Sequence, residues 1–370
     1  MYIKSLKLQN FRNYADESFA FDPAVNLICG ENGQGKTNLL EAAVACSTMR
    51  LFRTAQKKEG LRFGENHAFI FADFLAQERD ISLELRFSRT KAMEIYKNGV
   101  RQKRQSDAQG LLKTVLFCPE DLMLVRAGAA ARRRFLDTAL CQMRPNYARY
   151  LEEYNRLHEH KTRILRDSEE KPSLLSMWED FSLRMAHIGA QIIRYRAYYC
   201  RKLLKAAAAV YADIAPHEVL SGVYKTVSSV TDPFADARTI EKQLIDHVFS
   251  HKTAEIAAKS CLSGPHKDDL ELLLDGRSAA SFGSQGQVRT CTLSLKLAER
   301  ELFFDEDGEY PVLLLDDVLS ELDRRRQDFV LNRISAGQVM ITCCEDGISE
   351  KLRAGAVFHI QNGEKSAETH

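Results

Sequence analysis

One stretch constrains this chain more than any other: Gly30-Glu31-Asn32-Gly33-Gln34-Gly35-Lys36-Thr37. It reads Gly, four residues, Gly-Lys-Thr, the pattern of a phosphate-binding P-loop. Before it runs the short apolar segment Val25-Asn26-Leu27-Ile28-Cys29, which predicts a buried parallel strand. After it, Asn38-Leu39-Leu40-Glu41-Ala42-Ala43-Val44-Ala45 predicts a helix. Glycines let such a loop curl its N–H groups towards a phosphate chain, and the helix N-terminus adds a favourable partial charge. Lys36 is then placed to reach the β- and γ-phosphates, and the Thr37 hydroxyl to hold Mg²⁺. Gly30, Glu31, Asn32, Gly33, Gln34, Gly35 and Asn38 complete the expected nucleotide cradle. A chance Gly-rich turn before a helix accounts for the glycines but not for strand, loop and helix in this order.

Two later segments fit the same chemistry. Val312-Leu313-Leu314-Leu315 is an apolar strand pattern that ends in Asp316-Asp317. In P-loop NTPases the first such Asp holds Mg²⁺, and the next carboxylate is placed to orient or deprotonate the attacking water. Upstream, Phe282-Gly283-Ser284-Gln285-Gly286-Gln287 opens a helix pattern carrying Leu293, Leu297, Ala298 and Leu302. Ser284, Gly286 and Gln287 offer a small hydroxyl and N–H groups to an anion. Gln338-Val339-Met340-Ile341-Thr342 reads as another core strand, whose polar end would lie near the γ-phosphate in a doubly wound sheet. Near the start, Arg12 in Phe11-Arg12-Asn13-Tyr14 stands where it either folds back to the nucleotide or lies on a surface loop.

At 370 residues the chain suits one large domain or two lobes. Its net charge of +1 means that any DNA-binding surface must be a local patch. Nine cysteines lack a C-x-x-C pair, and no signal peptide leads the chain, which predicts a reduced cytosolic protein. No apolar run approaches about 18 residues, so no membrane span is expected. Ile81 to Phe87 alternates, and Asn98-Gly99 is a hairpin signal, which predicts an antiparallel layer beside the parallel core. From Arg132 to Leu165 the texture is helical, with Tyr147, Tyr150, Leu151, Tyr154 and Leu157 on one stripe. After a break at Ser168-Glu169-Glu170-Lys171-Pro172-Ser173, a second stripe carries Trp178, Phe181, Met185, Ile188, Ile192, Tyr195 and Tyr199. The spacing suits a short antiparallel coiled pair, and the aromatic stripe reads as packing rather than base stacking. A further helix is expected over 239–258. The expected organisation is an α/β head from residues 1–122 and 259–370, with a helical lobe over 123–258.

Phe11-Arg12-Asn13-Tyr14, the P-loop, Arg132-Arg133-Arg134-Phe135-Leu136-Asp137, Gly264-Pro265-His266-Lys267-Asp268-Asp269, Ser284-Gln285-Gly286-Gln287 and Leu315-Asp316-Asp317-Val318-Leu319-Ser320-Glu321-Leu322-Asp323 follow one another along nearly the whole chain. Together they resemble the ABC-type ATPase heads of SMC-like DNA repair proteins, and among these the RecF family. The resemblance implies an ABC ATPase head with a short helical arm and a weak, DNA-stimulated ATPase. It implies an ATP-dependent homodimer in which Gly30, Gly33, Gly35, Lys36 and Thr37 of one subunit hold ATP and Mg²⁺. Ser284, Gly286 and Gln287 of the other would close over the γ-phosphate, with Asp316 on the metal and Asp317 as catalytic carboxylate. It further implies binding of single- and double-stranded DNA at gaps or junctions, and work with RecO and RecR type partners to place RecA. Lys57, Lys58, Arg132 and Arg133 are the candidate DNA contacts. This chain departs from the wider pattern in carrying Asp317 where most ABC ATPases have Glu, which predicts slow turnover. Cys343 stands where most have His, no clear glutamine-loop residue appears where Phe117 leads into Pro119-Glu120-Asp121, and Glu120 is a candidate for metal or water. An ABC transporter subunit is the first rival, but in those the Ser284-type loop follows the P-loop far more closely than the gap of about 250 residues here, and the helical arm has no use at a membrane partner. An SMC-type chromosome clamp would need a far longer heptad arm, and a metabolic P-loop kinase has no use for the Ser284 loop.

Overall fold

The computed structural model describes residues 1–54, 56–334, 336–344 and 355–366. The chain divides into two compact units, Met1–Met123 with Arg289–His370, and Leu124–Val288.

In the first unit the apolar segment before the P-loop becomes a middle strand of a mostly parallel sheet. Its order is Glu364–Lys365, Ala356–Gln361, Val25–Cys29, Val339–Cys343, Val312–Leu315, Thr114–Phe117. Every pairing but that of Glu364–Lys365 is parallel. The central strands are buried on both faces, which is why they read as continuous apolar runs rather than alternating ones. The second sheet is antiparallel, in the order Tyr14–Ala20, Tyr2–Phe11, His67–Ala76, Arg79–Ser88, Glu94–Lys97, Val100–Arg101. Asn98 and Gly99 join its last two strands with φ of 49° and 76°, the doubly left-handed turn that this dipeptide favours. The helix Lys36–Thr48 lies between the sheets. Leu39, Leu40, Ala42, Ala43 and Cys46 share one apolar cluster with Leu6, Leu8, Ile70 and Leu85 of the antiparallel sheet and Ile28, Leu314 and Met340 of the parallel one. Buried Gln338 ties the two sheets together by accepting from Ile3 N at 2.7 Å and donating to Ile3 O at 2.8 Å.

The second unit contains the helices Ala129–Met143, Pro145–Asp167, Trp178–Ile214, Ala237–Ser250 and Lys252–Ala258. The helical run expected from Arg132 to Leu165 is two helices. Pro145 cannot donate to the preceding turn and starts a new helix at its first position. The aromatic stripe is packing: Tyr195 lies edge-on to Tyr147 with ring centroids 5.6 Å apart, and 6.4 Å from Tyr150. The expected lobe boundary at 258/259 falls inside this unit. Asp269–Leu274 pairs along its length with Leu220–Lys225 and, beyond the Asp275-Gly276 turn, with Arg277–Ser278, so residues 259–288 belong with the helices.

A buried cation organises the unit. Arg196, on Trp178–Ile214, donates from Nε and Nη2 to Asp137 at 2.9 and 3.0 Å, and from Nη1 to Asp268 at 2.9 Å and Pro265 O at 2.7 Å. Tyr147 donates to Asp137 at 2.5 Å, and Tyr224 donates to Asp268. The Arg132–Asp137 and Gly264–Asp269 motifs are thereby the two sides of one joint. His266 completes it, with Nδ1 accepting from Tyr154 OH at 2.8 Å and Nε2 donating to Cys261 O at 3.0 Å. Burial, together with nearby His158, pushes its pKa down to about 3, so the ring is neutral. Gly264 has φ of 124°, and a Cβ there would strike the Tyr154 hydroxyl.

Truncating Arg196 would leave buried Asp268 and half-buried Asp137 without their cation. Arg196→Ala is expected to lose about 3–5 kcal/mol in urea unfolding monitored by circular dichroism. A loss below about 1 kcal/mol would show the joint to be worth no more than a surface ion pair.

Candidate functional site

The P-loop leaves Val25–Cys29 and enters Lys36–Thr48 through left-handed glycines, Gly30, Gly33 and Gly35. A side chain at Gly30 would strike the Ile360 carbonyl, and one at Gly35 the Asn13 amide. The Phe11-Arg12-Asn13-Tyr14 turn laces onto the loop from behind. Asn13 donates to Gln34 O at 2.8 Å, Tyr14 OH to Gly35 O at 2.9 Å, and Asn38 to Asn13 Oδ1 at 2.7 Å. Gln34 also receives Asn362 N through Oε1 at 2.6 Å. Glu31, Asn32 and Gly33 stay exposed at the rim. Lys36 folds back over the loop, donating to the carbonyls of Gly30 and Glu31.

The carboxylate strand meets the loop at the carboxyl end of the sheet. Asp316, 5% exposed, accepts from Thr37 Oγ1 and from Thr342 Oγ1, each at 3.0 Å on the same Oδ1. Thr342 Oγ1 in turn accepts from Asp317 N at 2.8 Å. Asp317 has φ of 51°, and its carboxylate accepts from Ser320 Oγ at 3.2 Å. Burial raises the Asp316 carboxyl above its ordinary range, opposed by the two threonine hydroxyls and the charge of Arg53. A hydroxyl and a desolvated carboxylate are hard oxygen donors, and they fit Mg²⁺.

Arg12 lies beside the helix rather than over the loop. It donates from Nε and Nη2 to Glu41 at 2.8 and 3.1 Å, with its backbone at φ of 55°. Glu41 is wholly buried and also takes Arg53 N and Nη2, both at 3.3 Å. The sequence left Arg53 unassigned; it is an exposed cation that hydrogen-bonds Asn38 and whose charge is felt at Asp316. Its signal was an Arg closing the loop after the P-loop helix. Cys343 is not the residue that faces the phosphate loop. As the last residue of its strand it turns into the core, with Sγ 3.0 Å from Cys29 Sγ, and the next residue, Cys344, meets Lys36 Nζ at 3.3 Å. Glu120 adds its charge near Asp316, and neighbouring Asp121 pairs with Lys296 at 3.3 Å.

In the second unit Ser284 and Gln287 form a reciprocal capping box. Gln287 N donates to Ser284 Oγ at 3.2 Å, and Ser284 N to Gln287 Oε1 at 2.7 Å. Ser284 is exposed and Gly286 half-exposed at the start of Gln285–Asp307. Of the candidate DNA contacts, Lys58 is exposed on the short 3-10 turn Lys57–Gly60. Arg132 instead grips Asp269 through both oxygens at 2.7 and 2.9 Å, and Arg133 donates to Asp268 O at 2.6 Å. Both guanidinium groups are thus engaged within their own unit.

The sequence profile described as RecF/RecN/SMC N terminal domain matches residues 2–366. "DNA replication and repair protein RecF" of Acetivibrio thermocellus is 33% identical over 361 residues, covering 98% of each chain. That of Bacillus cytotoxicus is 37% identical over 373 residues, covering 100% of this chain and 99% of the relative. The chain belongs to the RecF family. A solved structure of the recombination mediator protein RecF with ATP, in the RecFOR pathway, superposes with a TM-score of 0.91 at 31% identity, covering 99% of this chain and 98% of that one. An Smc head from Pyrococcus furiosus shares the fold at 14% identity, with a TM-score of 0.55 over 99% of this chain and 95% of that one. The mixed sheets and the lobe of the RecF-family chain are therefore those of an ABC-type ATPase head.

Two outcomes follow from this geometry. Thr342→Val would take a hydroxyl from both carboxylate residues at once, and ATP turnover is expected to fall about tenfold to a hundredfold, the worth of a hydrogen bond to a charged group. Unchanged steady-state turnover would show that Thr342 does not organise the pair. Separately, burial pushes the Glu299 carboxyl up to about 7, against the pull of Lys296 at 3.8 Å. A raised carboxyl contributes stability that is complete below its ordinary value of 4.5 and is lost as pH rises through about 7. Glu299→Gln should therefore melt above the parent at pH 8 and lose that advantage at pH 5, in calorimetry at both.

Proposed function

We propose that this chain is an ATP-dependent DNA-binding protein of recombinational repair and replication, acting in the cytoplasm as a dimer held together by ATP. The observation that carries this reading is the meeting of Thr37, Asp316 and Thr342 beside Lys36 at the carboxyl end of the parallel sheet. Gly30 to Asn38 of one copy hold the triphosphate, with Lys36 leaving its loop carbonyls for the β- and γ-phosphates. Thr37 and Asp316 would hold Mg²⁺, which when bound neutralises phosphate charge. Asn13 and Tyr14 brace the loop from behind, and Arg12, held by Glu41, fixes the turn that carries them beside the helix. Ser284, Gly286 and Gln287 of a second copy close over the γ-phosphate. Asp317 orients the attacking water, and its carboxylate, one methylene shorter than glutamate, makes turnover slow.

ATP then binds the closed dimer more tightly than the open monomers, and hydrolysis releases the clamp. The DNA contacts are assigned to Lys57, whose side chain lies outside the described residues, and exposed Lys58, since Arg132 and Arg133 serve the second unit's own joint. The partners are gapped or junction DNA, together with RecO and RecR type proteins that help place RecA. Relatives named for DNA replication and repair, and a RecF solved with ATP in the RecFOR pathway, support the reading.

Sizing and gapped-duplex binding with ATP or ADP test it. ATP alone should drive the parent to a DNA-binding dimer. Lys36→Ala should fail to bind ATP, and Ser284→Arg should bind ATP yet stay monomeric. A protein that remains monomeric with ATP, or holds DNA equally in every nucleotide state, has no such gate.

A further inference from the structure

The Ser284 loop is held from outside by a carboxylate that no motif marks. Gln287, the second partner of the capping box, has its amide turned by Glu218: Nε2 donates to Glu218 Oε1 at 2.9 Å. With its nitrogen fixed there, its oxygen is aimed at Ser284 N. Glu218 is itself fixed. Tyr211 OH donates to its other oxygen, and its backbone N donates to Ala215 O at 3.1 Å. The next residue, Val219, is clamped to Asp275 by Asp275 N to Val219 O at 3.0 Å and Val219 N to Asp275 Oδ1 at 2.9 Å. On the far side of the loop, Arg126 Nη2 donates to Gly283 O at 2.9 Å. The chain Tyr211–Glu218–Gln287–Ser284 runs from the end of a long buried helix to an exposed hydroxyl.

We infer that Glu218 is a positioning residue for the γ-phosphate hydroxyl of Ser284. The inference rests on the reading that this loop meets the ATP of a second copy. Ser284 Oγ accepts from Gln287 N, which spends one of its lone pairs inward and leaves its O–H to donate outward to a phosphate oxygen. A hydroxyl oriented in advance loses little freedom when the phosphate arrives, and small misplacement of such a donor is costly. Without Glu218 the Gln287 amide can rotate, the box weakens, and Ser284 must be ordered at the moment of dimer closure. Glu218 touches neither nucleotide nor water in this scheme; it acts through Gln287.

The experiment uses the full chain with Mg²⁺ and ATP, reading ATP affinity at protein concentrations where it is monomeric and, separately, the ATP-driven dimerisation constant by analytical ultracentrifugation. Glu218→Ala is expected to keep its monomer ATP affinity and to dimerise about tenfold more weakly, the size of one hydrogen bond to a charged group. Glu218→Gln still offers an oxygen to Gln287 Nε2 and should stay within about threefold of the parent, and Tyr211→Phe should fall between the two. Glu218→Ala dimerising like the parent overturns the inference, as does Glu218→Gln failing as badly as Glu218→Ala. Should Glu218→Ala not fold, the Glu218→Gln and Tyr211→Phe pair still decides, because Tyr211→Phe at the parental constant also refutes it. A parent that never dimerises with ATP would refute the two-copy reading itself. A parent that dimerises, with Ser284→Arg that does not and Glu218→Ala unaffected, would refute only the role of Glu218.

Discussion

A single carboxylate oxygen gathers the phosphate end of the first unit. Asp316 Oδ1 takes hydroxyls from the first turn of the P-loop helix and from the end of the strand between the P-loop strand and its own. Three adjacent parallel strands end within two residues of one another, so short side chains suffice to join them. Thr342 does more than bind Asp316. By accepting from Asp317 N it sets the left-handed turn that carries the second carboxylate away from the first. Two acids in sequence are thereby separated in role by one threonine: one is drawn into the sheet and desolvated, the other turned towards Ser320.

Buried ion pairs do the corresponding work elsewhere, and they absorb several arginines that charge alone would assign to nucleic acid. Glu41 is wholly enclosed and is matched by Arg12 and Arg53. Arg196 is matched by Asp137 and Asp268, with Tyr147 and Tyr224 filling remaining acceptor sites. Removing one partner from such a set strands a charge in a medium that solvates it poorly, so each set fixes geometry more than it adds stability. Arg132 and Arg133 belong to the same economy of contacts, since a guanidinium gripping both oxygens of Asp269 has little left for a phosphate.

In the proposed dimer each chain would present two unlike half-sites, a P-loop with its carboxylates in one unit and a capped Ser284 loop in the other. The first is rich in groups for binding phosphate and metal. The second is a helix start whose box already engages Ser284 N and Gln287 N, with the Ser284 hydroxyl turned outward. Such a pair suits a ligand that must be held firmly by one copy and sensed lightly by another, which in the proposed cycle lets hydrolysis undo the contact.

The strand–loop–helix, the hairpin at Asn98-Gly99 and the doubly buried strands were legible in the residues because each depends on local rules: glycine conformations, a turn dipeptide, an unbroken apolar run. The motif order also pointed to the family, since spacing between motifs survives along the chain. What local rules could not decide was which distant groups would pair. Whether Arg12 meets a nucleotide or a buried glutamate depends on a helix residue that packing places beside it. That Cys344 rather than Cys343 faces Lys36 depends on which residue ends the strand. The place of residues 259–288 in the second unit depends on a strand partner far upstream. Glu218 bears no motif at all, and only the tertiary structure brings it to Gln287. Charges and amides choose partners by proximity in space, and that proximity exists only once the chain has folded.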